Sequence, residues 1–183
     1  LKLIEEIGID VCVVISFNKR FSQIKAGDFV KKVLFAKLGA GLIYVGRNFR
    51  FGRGAEGNLS ILRELSAAYN FKVKPFNVLK INNQPVSSTY IRRLISKGDL
   101  EAAQNLLLRP VTILGTVIKG SSLGRKLGFP TANIDPHHEV LPPSGIYAVY
   151  AVLDNRKLCG VCYIGSKPTF NKTQNKKYIE VYI

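Results

Sequence analysis

Residues 109–133 read RPVTILGTVIKGSSLGRKLGFPTAN, and two architectures meet inside them. Pro110 has no amide hydrogen and restricts the residue before it, so the helical pattern that precedes Arg109 cannot cross this point. Beyond it come an extended apolar run, Val111 to Ile118, and a loop rich in Gly, Ser, Lys and Arg. That loop ends in Gly128-Phe129-Pro130-Thr131-Ala132-Asn133. Glycines let backbone N–H groups approach a bound anion closely. Lys119, Arg125 and Lys126 add positive charge for phosphates. Thr131 and Asn133 are two residues apart, so on a strand they share a face. Both offer hard, neutral oxygens, which suit Mg²⁺ when the phosphates bring the negative charge. These residues point to a nucleotide·Mg²⁺ site, whereas composition alone favours an ordinary basic loop ahead of a strand.

Upstream of Arg109, strand-like and helix-like patterns alternate. Asp10 to Phe17 (DVCVVISF) is a continuous apolar run, the pattern of a buried parallel strand. Ala26 to Leu38 has helical spacing, Gly41 to Gly46 is a short apolar strand, and Asn48 to Asn58 is a basic, glycine-rich loop. Leu59 to Tyr69 is helical with Asn58 as its cap. Phe71 to Ile81 is extended and Ser88 to Lys97 helical; Gly98 ends that helix, and Asp99 caps the next one, which runs to Leu108. Alternating strands and helices predict an α/β unit with a parallel sheet.

Downstream only strands are predicted, over Val111 to Ile118, Ile146 to Leu153, Lys157 to Ile164 and Lys176 to Ile183. Asp154-Asn155 is a tight-hairpin signal between the middle two. This half reads as all-β, a small antiparallel barrel. No internal repeat and no low-complexity tract interrupts either half.

The 183 residues are 46% hydrophobic and 21% charged, enough apolar content to bury a core. No apolar run reaches the length of a membrane span. Three cysteines without framework spacing point to a reducing compartment. The net charge of +15 attracts polyanions, either nucleic acid or phosphorylated small molecules, but the basic residues are dispersed rather than gathered in one stripe. The sequence has no methionine; it opens in a helix-like pattern and closes in an alternating run, so both ends read as cuts within a longer protein.

Several motif matches carry no chemistry. Gly52-Arg53-Gly54-Ala55-Glu56-Gly57 spells G-x-G-x-x-G, but it begins six residues past the strand end at Gly46, and Asn77 stands where an acidic residue belongs. The Gly120–Lys126 stretch fails the spacing of a Walker A loop. Cys159-Gly160-Val161-Cys162 has redox spacing but lies in a β pattern, where residues three apart face opposite sides. His137-His138 follow Asp135-Pro136 and read as turn residues.

The motif G-x-V-x-x-G-x-x-x-G-R-x-L-G-F-P-T-A-N over Gly115–Asn133 resembles the riboflavin kinase family. The likeness continues through Leu141-Pro142-Pro143-Ser144-Gly145-Ile146-Tyr147, Ile164-Gly165-Ser166-Lys167-Pro168-Thr169-Phe170 and Ile179-Glu180-Val181. It reaches back to Ser87-Ser88-Thr89-Tyr90-Ile91-Arg92 and Val45-Gly46-Arg47-Asn48-Phe49-Arg50-Phe51-Gly52. In that order the motifs resemble the bacterial bifunctional riboflavin kinase/FAD synthetase family over nearly the whole chain.

The resemblance implies a fold: an α/β nucleotidyltransferase-like, Rossmann-like partial domain over residues 1–108. A small antiparallel, six-stranded-type β-barrel follows over 109–183, also incomplete. It implies a kinase site in which Gly120, Ser121, Gly124, Arg125 and Lys126 cover the ATP phosphates. Thr131 and Asn133 hold Mg²⁺ and the nucleotide, and Glu180 accepts the proton of the riboflavin 5′-hydroxyl. For adenylyl transfer it implies that Asn48 and Phe49 meet the substrate nucleotide. Ser87, Ser88, Thr89 and Arg92 hold ATP phosphates at a helix N-terminus. The H-x-G-H signature of nucleotidylyltransferases is absent, because the only histidines are His137 and His138. By resemblance that turn falls before Leu1, so this chain alone is not expected to adenylylate FMN. Leu108 stands where the family usually has glycine.

The implied substrates are ATP, riboflavin and FMN, in the cytoplasm, with no nucleic-acid or membrane partner; nothing in the sequence fixes an oligomeric state. Two alternatives stand beside this reading. One is a basic nucleic-acid-binding module, with polyanion binding that falls steeply with salt. The other is a parent in which only the kinase half is catalytic.

Overall fold

The computed structural model describes residues 1–120, 128–137, 139–154, 156–166 and 177–183. The chain divides into two compact units, Leu1–Leu79 and Lys80–Ile183.

The first unit opens with α1 (Lys2–Glu6) and α2 (Lys19–Ser22). The Asn18 side chain caps α2 by accepting from the Phe21 amide. Helix α3 (Ala26–Phe29) passes into a π-helix (Val30–Phe35), where the Ala36 amide donates to the Lys31 carbonyl five residues back. The expected helix over 26–38 is therefore present with its second half widened. Strand β1 (Leu42–Gly46) pairs in parallel with β2 (Lys72–Phe76), and α4 (Leu59–Ala68) makes the crossover between them. Asn58 caps α4 by accepting from the Ile61 amide at 3.1 Å. Ala26, Val30, Val45, Phe51, Leu62 and Phe71 form the core. Val30 and Leu62 are fully buried, each contributing about 2 kcal/mol of transfer free energy.

The expectation of a buried strand over Asp10–Phe17 is corrected here. The run has no regular structure, and Val11, Val14 and Phe17 are each more than 70% exposed. A strand exists only when a neighbouring edge accepts its ladder of hydrogen bonds. Among the described residues no strand pairs with this run, so its apolar side chains have neither a ladder nor a covering layer.

The Gly52–Gly57 loop is structural. Phe51 and Gly57 exchange backbone hydrogen bonds, the Arg53 amide donates to the Ile24 carbonyl, and the Ala26 amide donates to Glu56 Oε1 at 2.7 Å. It therefore closes on itself and braces the start of α3 rather than opening a helix toward a ligand.

The second unit begins with a hairpin, β3 (Lys80–Ile81) and β4 (Gln84–Pro85). Its two-residue loop, Asn82-Asn83, has positive φ at both positions, as a type I′ turn requires. Helix α5 (Ser88–Lys97) is capped by Ser87 and ended by Gly98 at φ 85°. Asp99 caps α6 (Leu100–Leu107) through the Ala102 amide, and Leu108 ends it in the left-handed conformation at φ 55°. The two helices bury Leu94, Ile95, Ala103 and Leu106, with Val111 and Val140 of the β region packed against them.

Among the described residues that follow is a five-stranded antiparallel sheet in the order β5 (Thr116–Ile118), β6 (Ala132–Asp135), β9 (Lys177–Tyr182), β8 (Arg156–Ser166), β7 (Gly145–Leu153). Strand β5 is shorter than the predicted run from Val111, and β6 adds a strand after the basic loop. Leu153 pairs with Arg156 across the β7–β8 hairpin, with Asp154 at φ 46°; Asn155, the other half of the expected turn pair, lies outside the described residues. One sheet face carries a core of Cys162, Ile164 and Ile179, flanked by Ile134, Tyr147, Val149 and Val181. No described helix is long and apolar enough to cross a membrane.

Candidate functional site

Strand pairing sets the site on the other face of this sheet. Ile118 pairs with Asn133, Asn133 with Glu180, Glu180 with Tyr163, and Tyr163 with Ile146. Directly paired residues point to the same side, so these five side chains form one row across the five strands. Its polar centre is Asn133 and Glu180, both half-buried. Thr131, just before β6, joins them: its hydroxyl donates to Glu180 Oε2 at 3.4 Å. That separation is long for an O–H···O bond, so the carboxylate keeps most of its capacity to accept from another donor.

Gly120 closes the near side. A Cβ added there would collide with the Asn133 side-chain amide, so glycine lets the strand end pass over Asn133. The structure thus brings together Gly120, Thr131, Asn133 and Glu180. Ser121, Gly124, Arg125 and Lys126 lie outside the described residues. Asn133 and Thr131 present neutral oxygens beside one carboxylate, a donor set that fits a hard cation already carrying phosphate ligands.

Sequence reasoning missed two neighbours, Tyr163 and Tyr178. Their rings meet edge to face at 5.6 Å between centroids. A hydrogen bond between the two hydroxyls, with partial burial and the charge of Glu180, raises the Tyr178 phenol above its ordinary value. A Cβ on Gly165 would lie 2.7 Å from the Tyr163 ring, so that ring lies flat along β8 over the glycine. The signal in the sequence was the Tyr-x-Gly spacing on one strand face, opposite Tyr178. Phe129, 64% exposed, stands edge-on to Tyr182 at 6.0 Å.

The residues expected to serve adenylyl transfer fall in both units. In the first, Asn48 is exposed on the turn directly after β1. Phe49 packs on the core and stacks on Phe51 at 5.4 Å and 19°. In the second, the Ser87 hydroxyl accepts from the Tyr90 amide at 3.2 Å, capping α5, while Ser88 and Thr89 lie exposed in its first turn. Arg92, one turn on, lines a cleft of about 420 Å³ with Arg109 and His137. His137 sits in a turn, its Nε2 2.9 Å from the Thr116 hydroxyl; His138 lies outside the described residues. Cys159 is exposed and Cys162 buried, on opposite faces of β8, and burial pushes the Cys162 thiol up.

Comparison with known proteins finds two families, one after the other along the chain. A family profile described as FAD synthetase matches residues 1–90, and one described as riboflavin kinase matches residues 107–183. The bifunctional riboflavin kinase/FMN adenylyltransferase of Buchnera aphidicola subsp. Schizaphis graminum is 40% identical over 185 residues, covering 100% of this chain and 59% of the relative. The protein of the same description from Haemophilus influenzae is 37% identical over 169 residues, covering 92% of this chain and 55% of the relative. That from Escherichia coli K12 is 35% identical over 170 residues, covering 92% and 54%. A crystal structure described as a macrolide-efflux protein from Streptococcus pneumoniae matches with a TM-score of 0.80 at 24% identity, covering 100% of this chain and 58% of that one, a likeness of fold. The chain spans about 59% of the length of the Buchnera relative. With both profiles in order along one chain, and relatives of one description aligned across nearly all of it, the chain belongs to the bifunctional riboflavin kinase/FMN adenylyltransferase family.

Proposed function

We propose that the chain works in flavin synthesis, phosphorylating riboflavin to FMN with ATP in its β region and, in the complete protein, adenylylating FMN to FAD. The single observation that carries the kinase reading is the meeting of Thr131, Asn133 and Glu180 on one sheet face, fixed by the β6–β9 register. In this reading Glu180 accepts the proton of the 5′-hydroxyl as that hydroxyl's oxygen bonds to the γ-phosphorus of ATP. The bond from that phosphorus to the β–γ bridging oxygen breaks, and ADP leaves. Thr131 and Asn133 would hold Mg²⁺, which when bound supplies charge neutralisation to the phosphates. Gly120, Ser121, Gly124, Arg125 and Lys126 cover those phosphates in this reading.

For adenylyl transfer we assign Asn48 and Phe49 to the nucleotide, and Ser87, Ser88, Thr89 and Arg92 to the ATP phosphates. The two activities divide at about Arg109, supported by the bounds of the two family matches. The five described strands are read as part of a six-stranded-type barrel. An enzyme that spends ATP and carries three unpaired cysteines fits the cytoplasm.

Glu180→Gln in the complete protein tests the assignment. Initial rates of FMN formation should fall by about 10²–10⁴-fold, the range for loss of a positioned general base. Mg·ATP binding, followed by titration, should change less than twofold. An equal loss of both would make Glu180 structural and overturn its role.

A further inference from the structure

The face that carries Glu180 is apolar on either side of it, and the kinase reading leaves this surface unused. Ile146 is 75% exposed, and Val161, Tyr163 and Tyr182 are each at least 40% exposed. The same sheet's other face holds the core, and among the described residues this face belongs to no buried cluster. Aromatic surface beside a half-buried carboxylate suits a planar, partly polar ligand better than open water.

We propose that Tyr163, held flat over Gly165 and braced edge-on by Tyr178, is the platform on which the isoalloxazine ring of riboflavin stacks during phosphorylation. The inference rests on the kinase reading and deepens it, by naming what holds the flavin. In riboflavin a flexible ribityl chain separates the 5′-hydroxyl from the ring, so when that hydroxyl is at Glu180 the ring must lie to one side. The β6 side is taken by Asn133 and Thr131, the polar residues assigned to metal and phosphates. On the β8 side, directly opposite Glu180, stands Tyr163. Gly165, by its missing Cβ, lets the phenol ring lie down along the strand instead of standing out from it. The edge-to-face contact and the shared hydrogen bond with Tyr178 fix the ring's tilt, and Ile146 and Val161 extend the apolar surface beside it. Such a platform is pre-formed, and little rotamer freedom is lost when a ligand settles on it.

The test uses the complete protein with Tyr163→Ala and Tyr163→Phe, and reads KM for riboflavin, KM for ATP and the fluorescence of bound riboflavin. Stacking on an aromatic side chain is worth about tenfold or more in affinity. Tyr163→Ala should therefore raise KM for riboflavin about tenfold, leave KM for ATP within about twofold, and restore emission that stacking quenches in the unmodified protein. Tyr163→Phe keeps the ring and should keep both the quenching and a KM for riboflavin within about threefold of the original. If Tyr163→Ala is poorly folded, Tyr163→Leu keeps the apolar bulk without the ring and should show the same selective change. A shift confined to KM for ATP would place adenine on this face and overturn the proposal. Unchanged riboflavin KM and unchanged quenching in Tyr163→Ala would overturn it as well, with the kinase reading intact. Failure of the unmodified protein to phosphorylate riboflavin would overturn both.

Discussion

The two units place their candidate residues by different devices. In Lys80–Ile183, Asn133, Glu180 and Tyr163 meet because three strands are in register, and a slip of one residue would turn all of them to the other face. In Leu1–Leu79, Asn48 hangs on a turn after β1, and its neighbour Phe49 is held by stacking on Phe51 rather than by a ladder. Register gives a site precision at the cost of tolerance, whereas an anchored turn can shift by fractions of an ångström as its aromatic support relaxes. A change that moves backbone under the first kind of site should be felt in the chemistry. A change that loosens the second should be felt first in stability.

Gly120→Ala presses hardest on this contrast. The added methyl collides with the Asn133 side chain, which must move off the row it shares with Glu180. FMN formation should fall about tenfold or more, mostly through weaker use of Mg·ATP, while thermal unfolding changes little. Initial rates across a Mg·ATP series check this, and full activity would show that Asn133 is not held where the register puts it.

Asn58→Ala acts on the other unit by removing the cap of α4. It should destabilise that unit by about 1 kcal/mol, a few degrees in a melt, with FMN formation unchanged. Loss of kinase rate at a temperature where the variant is folded would show the units to be less independent than their cores suggest.

The smallest effect is expected at Leu108, which holds φ 55° at the end of α6 with its side chain 81% exposed. Left-handed backbone costs a non-glycine residue about 1 kcal/mol. Leu108→Gly should relieve that cost, offset in part by the greater freedom of glycine in the unfolded chain. The melt of the second unit should rise by up to a few degrees. A lower melting temperature would mean that the leucine side chain contributes packing its exposure does not reveal.

Much of this was legible in the sequence, for identifiable reasons. Asn58, Ser87 and Asp99 accept from the amides that a cap must satisfy, and Gly98 takes the left-handed conformation that ends α5. These are local events, and the residue types that perform them are few. Strand β7 shows the same clarity, since its side chains alternate between the core and the open face. The Asp10–Phe17 run was legible only as apolar. A continuous apolar stretch states that it needs covering on both sides but not by what, and pairing is decided by other segments. Asn82-Asn83 carries a turn signal, but the strands on either side are two residues long and too short to show alternation. Thr131 and Asn133 were legible as a pair from their spacing. Their meeting with Glu180, 47 residues beyond Asn133, depends on the sheet order and reached the sequence reading only through the family likeness. The Tyr-x-Gly spacing of Tyr163 and Gly165 is visible in the sequence, but that Tyr178 stands opposite follows only from the same order.

Helix α5 opens on the Ser87–Arg92 motif that we assign to adenylyl transfer, yet α5 and α6 pack on Val111 and Val140 and share a compact unit with the sheet. On the proposed assignment, the division between the two reactions at about Arg109 is therefore not the division between the two compact units. A lineage exchanging kinase halves with a relative could not cut cleanly at Arg109 without opening a hydrophobic core. It would have to carry Lys80–Leu107 along, and with it the Ser87–Arg92 residues proposed for the other reaction. If the assignment holds, the helix pair ties the inheritance of one activity to that of the other.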